Sequence, residues 1–132
     1  MLEVQNIKKI YRSRFGKDDL EALKSINFTV EAGEYIAIMG ESGSGKTTLL
    51  NILALLDRPT SGKVILRDKD LQEIRDSQMA KFRRENFGFV FQDFNLLDTF
   101  TVKENILLPL ILAEEKVSSM EKKLSEIAAR LN

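Results

Sequence analysis

Apolar and polar positions divide the chain into short segments. Leu2 and Val4 alternate with polar neighbours and predict a first strand ending near Tyr11. Ile26, Phe28 and Val30 alternate with Ser25, Asn27, Thr29 and Glu31, the period of two of a strand with one wet face, as antiparallel sheets allow. After a turn at Ala32 and Gly33, residues 35–39 (YIAIM) are continuously apolar. That is the pattern of a parallel strand buried on both faces, and residues 87–91 (FGFVF) repeat it. Five of the eight phenylalanines lie between Phe82 and Phe94, so this stretch is expected to be a major part of the core.

The helical signals are as explicit. From Lys46 onward, Leu49, Leu50, Leu53 and Leu56 recur at helical spacing. Pro59, Ser61 and Gly62 mark a turn before a short strand at 63–66. Residues 75–85 predict a polar surface helix with Met79 and Phe82 on its inner side. Thr101 and Glu104 have capping-box spacing, in which hydroxyl and carboxylate satisfy orphan amides reciprocally. Ser118 and Glu121 repeat it, before a helix with Met120, Leu124, Ile127, Ala128 and Leu131 on one face. Residues 12–20, with Gly16, read as a polar loop.

Composition narrows the chemistry. The 132 residues hold 20 Lys+Arg and 20 Asp+Glu, with no cysteine and no histidine. That length is one domain or part of one. Without these two residues there is no disulfide framework, thiolate zinc site, Ser-His-Asp triad or imidazole base. Any metal must be hard and oxygen-ligated, which points to magnesium or calcium. Balanced charge gives no global pull toward nucleic acid, and no nucleic-acid partner is expected. The basic cluster Lys81, Arg83 and Arg84 reads as the solvated face of a helix. The opening Met1, Leu2, Glu3, Val4 lacks a signal-peptide pattern. The longest apolar run, 106–113, has eight residues and contains Pro109, far short of the roughly 20 that span a bilayer.

One motif carries the chemistry. Gly40, Glu41, Ser42, Gly43, Ser44, Gly45, Lys46 and Thr47 match GxxxxGK[ST], the P-loop, placed after an apolar segment and opening a helix. Three of the chain's seven glycines fall in these first six positions, where missing Cβ atoms let successive amides curl toward one phosphate. The helix N-terminus adds its dipole. Lys46 is expected to reach the β- and γ-phosphates and the Thr47 hydroxyl to ligate Mg²⁺. Thr48 is placed for an α-phosphate oxygen.

With that motif, ALKSINFTVEAGEYIAIMGESGSGKTTLLNIL, RPTSGKVIL and FRRENFGFVFQDFNLLDTFTVKENILLPL resemble the first half of an ABC-type ATPase. The closest likeness is to nucleotide-binding subunits of the macrolide, lipoprotein and antimicrobial-peptide exporter group. The resemblance implies an α/β P-loop NTPase fold: an N-terminal antiparallel β subdomain, a partial parallel-sheet core and the start of a helical subdomain. Residues 1–132 would be the N-terminal part of the ATPase domain, with a nucleotide-binding core at 1–92 and the Q-loop and first helical residues at 93–132. Tyr11 then takes the place of the adenine-stacking aromatic. Gln92 matches the Q-loop glutamine near Mg²⁺ and the γ-phosphate, at the carboxyl end of a buried-type strand, where α/β folds place ligand contacts. Residues 93–112 would meet a transmembrane permease subunit, although the apolar run there serves core packing equally well.

The resemblance also implies ATP and Mg²⁺ as ligands, a homodimeric partner ATPase domain, and a cytoplasmic site on the inner face of the cell membrane. No LSGGQ-type signature, Asp-Glu Walker B strand end, D-loop or switch histidine occurs in these residues, so ATP binding without turnover is expected. Residues 110–115 (LILAEE) mimic a Walker B segment, but Pro109 and the upstream capping box place them in or just after a helix. Lys69 stands where the family often has glycine, which puts the turn after 63–66 in question. The competing readings are a small P-loop kinase, for which an arginine-rich lid is lacking, and a non-hydrolysing nucleotide-binding module.

Overall fold

Strand β1 (Leu2–Tyr11) is the spine of the sheet, paired antiparallel on one side with β2 (Leu20–Val30) and on the other with β3 (Ser61–Leu66). The two-residue β4 (Lys69–Asp70) closes the order β2-β1-β3-β4. The computed structural model describes residues 1–12, 18–91, 93 and 95–130, which form two compact units, Met1–Phe87 and Gly88–Asn132. Val4 and Ile7 are both buried although they sit three apart, which simple alternation forbids. A register shift between them resolves this: Asn6 takes φ 50° as an extra, bulged residue, a left-handed conformation asparagine tolerates. The Asn27 side-chain oxygen accepts from the Asn6 amide at 2.8 Å, so the bulge leaves no orphan donor there.

Helix α1 (Lys46–Leu53) covers this sheet with Leu49 and Ile52, which pack with Val4, Ile7, Leu23 and Val64. Leu50 and Leu56 are half exposed, so the buried stripe is not the four leucines that periodicity picked out. Leu71 and Ile74 extend the same core. Helix α2 (Asp76–Asn86) brings Met79 and Phe82 against it, as expected. Between β3 and β4, Arg67 (φ 49°) and Asp68 (φ 67°) form the two left-handed positions of a hairpin turn. Lys69 lies already in β4, its ammonium 4.8 Å above the Phe82 ring, so the turn needs no glycine at that position.

The expected parallel core is not formed among the described residues. Neither 35–39 nor 87–91 is a strand. Tyr35 is 94% exposed, Met39 86% and Val90 fully. β-propensity describes a side chain that suits a pleated, half-buried surface, and a strand exists only through ladder bonds to a neighbour. These segments have the composition and lack the neighbour. The phenylalanine-rich stretch is likewise not the centre of the core: Phe82 and Phe87 pack edge-on at its margin, while Phe89 and Phe91 remain exposed, and Phe94 lies outside the described residues.

In the second unit, α3 (Val102–Leu112) starts with the full capping box: Glu104 N donates to Thr101 Oγ1 and Thr101 N donates to the Glu104 carboxylate. Helix α4 (Val117–Arg130) begins before Ser118, so the second predicted box does not form. Glu115 serves that end instead, accepting from Ser119 Oγ and Lys123 Nζ. Among the described residues no helix is long and apolar enough to cross a membrane.

Candidate functional site

The loop at 40–45 enters α1 through Gly45, the helix N-cap, at φ 90°. A Cβ there would lie 2.5 Å from the Ala22 carbonyl oxygen and 2.9 Å from Leu23 Cδ2, so β2 passes directly beneath the loop. Only glycine meets both demands. Gly43, at φ 81°, has nothing within 4 Å of its missing Cβ and faces open space. Ser44 N bonds Glu41 O at 3.2 Å and closes the curl, and Leu49 N bonds Gly45 O as an early helical bond. No side chain caps α1 and no acid sits in its first turn. Its first amides and the positive end of its dipole are left for an external anion.

Lys46 lies across the loop. Its ammonium donates to Gly40 O at 2.8 Å, to Glu41 O at 2.6 Å and to Ser44 Oγ at 3.4 Å. All three acceptors are uncharged, so they orient the cation without neutralising it. Residues 42–48, Tyr11 and residues 20–24 and 26 of β2 line a cleft of about 700 Å³. Ser42, Gly43, Ser44, Gly45, Lys46, Thr47 and Thr48 are therefore brought together with Tyr11. Gly40 and Glu41 stand behind the lining and hold the lysine. Gln92 lies outside the described residues.

Tyr11 ends β1 and is 42% exposed. Its hydroxyl donates to Asp57 Oδ2 at 3.1 Å, and the Lys9 ammonium sits 4.9 Å from its ring centroid. Lys9 also donates to Asp57 Oδ1 and to Arg58 O, both at 2.7 Å. Partial burial pushes the Asp57 carboxyl up. Hydrogen bonds from Lys9, the Arg58 amide and Tyr11 outweigh that and hold it below the ordinary carboxylate range. Sequence reasoning missed this cluster. Lys9 and Asp57 are 48 positions apart, and no local pattern links them.

The other charged candidates have structural duties. Arg83 donates to Leu55 O at 2.8 Å, and Lys81 pairs loosely with Glu85. Glu115 is engaged by Lys123 and Ser119, and no group of three or more His, Cys, Asp or Glu among the described residues can hold a metal. The oxygen donors lining the cleft beside the P-loop include hydroxyls, among them that of Thr47. That fits a magnesium carried mainly by phosphates and water, not a protein cage.

Residues 23–132 match the ABC transporter family. Over 99% of its length the chain is 53% identical to the ABC transporter ATP-binding protein YxdL of Bacillus subtilis, covering 50% of that protein. It is 43% identical to the bacitracin export ATP-binding protein BceA of Halalkalibacterium halodurans, covering 51% of it. The ATP-binding cassette MJ0796 of Methanocaldococcus jannaschii, solved as a dimer in a post-hydrolysis state with ADP and Pi, superposes with a TM-score of 0.84 at 39% identity. That match covers 96% of this chain and 55% of the cassette. The chain spans about half the length of these relatives. It belongs to the ABC transporter family.

Proposed function

We propose, from that family membership, that this chain is the Mg-ATP-binding N-terminal portion of an ATPase subunit that drives export across a membrane. The observation that carries the reading is one cleft holding the uncapped start of α1, Lys46 and Tyr11 together. The triphosphate would lie on the amides of 43–48. Lys46 would exchange its loop carbonyls for the β- and γ-phosphates, and Thr48 would meet an α-phosphate oxygen. Thr47 would hold the magnesium, which neutralises charge on the phosphates when bound. The Tyr11 ring would stack on the base, an interaction that tolerates base identity. Gln92 would approach the γ-phosphate side, and residues 93–112 would dock a permease at the cytoplasmic face. A second ATPase domain would complete the site, a reading supported by the dimeric MJ0796 cassette.

Titration calorimetry tests this. The chain should bind ATP and inorganic tripolyphosphate, and Lys46→Ala should weaken both more than about tenfold through lost charge-assisted bonds. Unchanged affinity in Lys46→Ala refutes the site. Bound ATP should not be turned over, since the signature and Walker B residues are not in this sequence. Steady phosphate release would contradict that half of the reading.

A further inference from the structure

We infer that Asp57 is a positioning residue for nucleotide binding: it fixes the Tyr11 ring as a base platform and links that platform to the phosphate end through α1. The inference rests on the proposed nucleotide site and extends it to a residue outside the cleft.

Lys9 and Tyr11 are two apart at the end of β1 and present their side chains to the same neighbour. That neighbour is the Asp57 carboxylate, whose two oxygens are divided between them, Oδ1 to Lys9 and Oδ2 to the Tyr11 hydroxyl. Asp57 is itself held. Its amide donates to Asn51 O in α1 at 3.2 Å, and its Oδ1 also accepts from the Arg58 amide at 2.7 Å. The turn continues to Thr60, stitched to β1 by Thr60 N to Lys8 O at 2.8 Å and by the Ile10 amide to Thr60 Oγ1 at 2.9 Å. The anchor is thus tied to both the helix and the strand.

A half-exposed aromatic at a strand end would otherwise sample several rotamers and lose that freedom when a base stacks on it. The tether removes that loss before binding. Lys9, near the ring at 4.9 Å, braces the same arrangement through the ring's quadrupole. Helix α1 therefore carries the phosphate cradle at its N-terminus and, one turn past its C-terminus, the anchor of the base platform.

The test compares ATP with inorganic tripolyphosphate, which has no base, in calorimetric titrations of the 132-residue chain. Tyr11→Phe deletes only the hydroxyl, and Asp57→Ala deletes the acceptor. Each should weaken ATP about two- to tenfold, the range for one immobilised side chain, while tripolyphosphate shifts less than about twofold. The double variant should be no weaker than either single one, because both remove the same tether. Equal losses for the two ligands, additive losses, or an unaltered ATP affinity in Tyr11→Phe would overturn the inference. If Asp57→Ala does not fold, Tyr11→Phe decides alone, since it leaves the Lys9–Asp57 pair intact. A parent chain binding tripolyphosphate as tightly as ATP removes the base platform but leaves the phosphate site standing. A parent binding neither removes both.

Discussion

At Gly45 a single missing methyl group decides whether the loop can lie on β2. The residue has φ 90°, and any Cβ would press on the Ala22 carbonyl at 2.5 Å. The left-handed backbone alone costs an L-residue about 1–2 kcal/mol, and the contact with rigid backbone adds to it. Gly45→Ala should therefore lower the urea midpoint at unchanged m-value and displace the loop from β2. An alanine variant as stable as the parent would show that the loop yields. Gly43 is the contrast, because its missing Cβ meets nothing and only the φ of 81° opposes replacement. The motif pattern specifies Gly45 and leaves Gly43 at an open position, but it does not say what excludes a Cβ at Gly45. The Tyr11–Asp57–Lys9 cluster was illegible for the opposite reason. Its members are ordinary strand and turn residues until a bulged sheet brings them together.

Among the elements, α3 shows most directly how far local sequence can be read. Thr101 and Glu104 are three apart, and the box they predict is present in full. The amide and the hydroxyl of Thr101 hold the Glu104 carboxyl below its ordinary range. A depressed folded-state value means that the ionised carboxylate stabilises the helix. That stabilisation is present above the ordinary glutamate range and is lost as the pH falls through the folded value. Far-UV circular dichroism across an acid titration should show helix loss at low pH, and Glu104→Gln should remove that step. Thr101→Ala should cost the helix about 1 kcal/mol at neutral pH. An unaltered acid transition in Glu104→Gln would assign it to other carboxylates. Helix α4 carries the same spacing without the same outcome, because it begins at Val117 and Ser118 is already inside it. The strands read less well than the helices. Periodicity found β1 and the alternating part of β2, whereas 35–39 and 87–91 depended on neighbours that their own residues do not specify.

Across the whole chain, burial is concentrated in one unit. Among the described residues every fully buried hydrophobic lies between Val4 and Ile74, in or beside the sheet and α1, while α3 and α4 bury none. The antiparallel sheet and its helix cover were legible because each carries its own periodicity. The location of the core was not, because the most aromatic stretch proved to be a margin. Stability should follow burial and not composition. Ile52 is fully buried against the sheet, so Ile52→Ala should destabilise the chain by about 2–5 kcal/mol, the transfer loss plus the cavity it leaves. Val90 sits in a run of equal hydrophobicity but is fully exposed, and Val90→Ala should stay within about 0.5 kcal/mol. Hydrogen exchange read residue by residue separates the contributions. Amides of β1 and β3 should exchange only at the rate of global opening and speed up together in Ile52→Ala, while those of α3 and α4 exchange faster and respond little. If Val90→Ala proves as costly as Ile52→Ala, or α4 amides as protected as those of β1, the weight of the fold lies elsewhere than in this core.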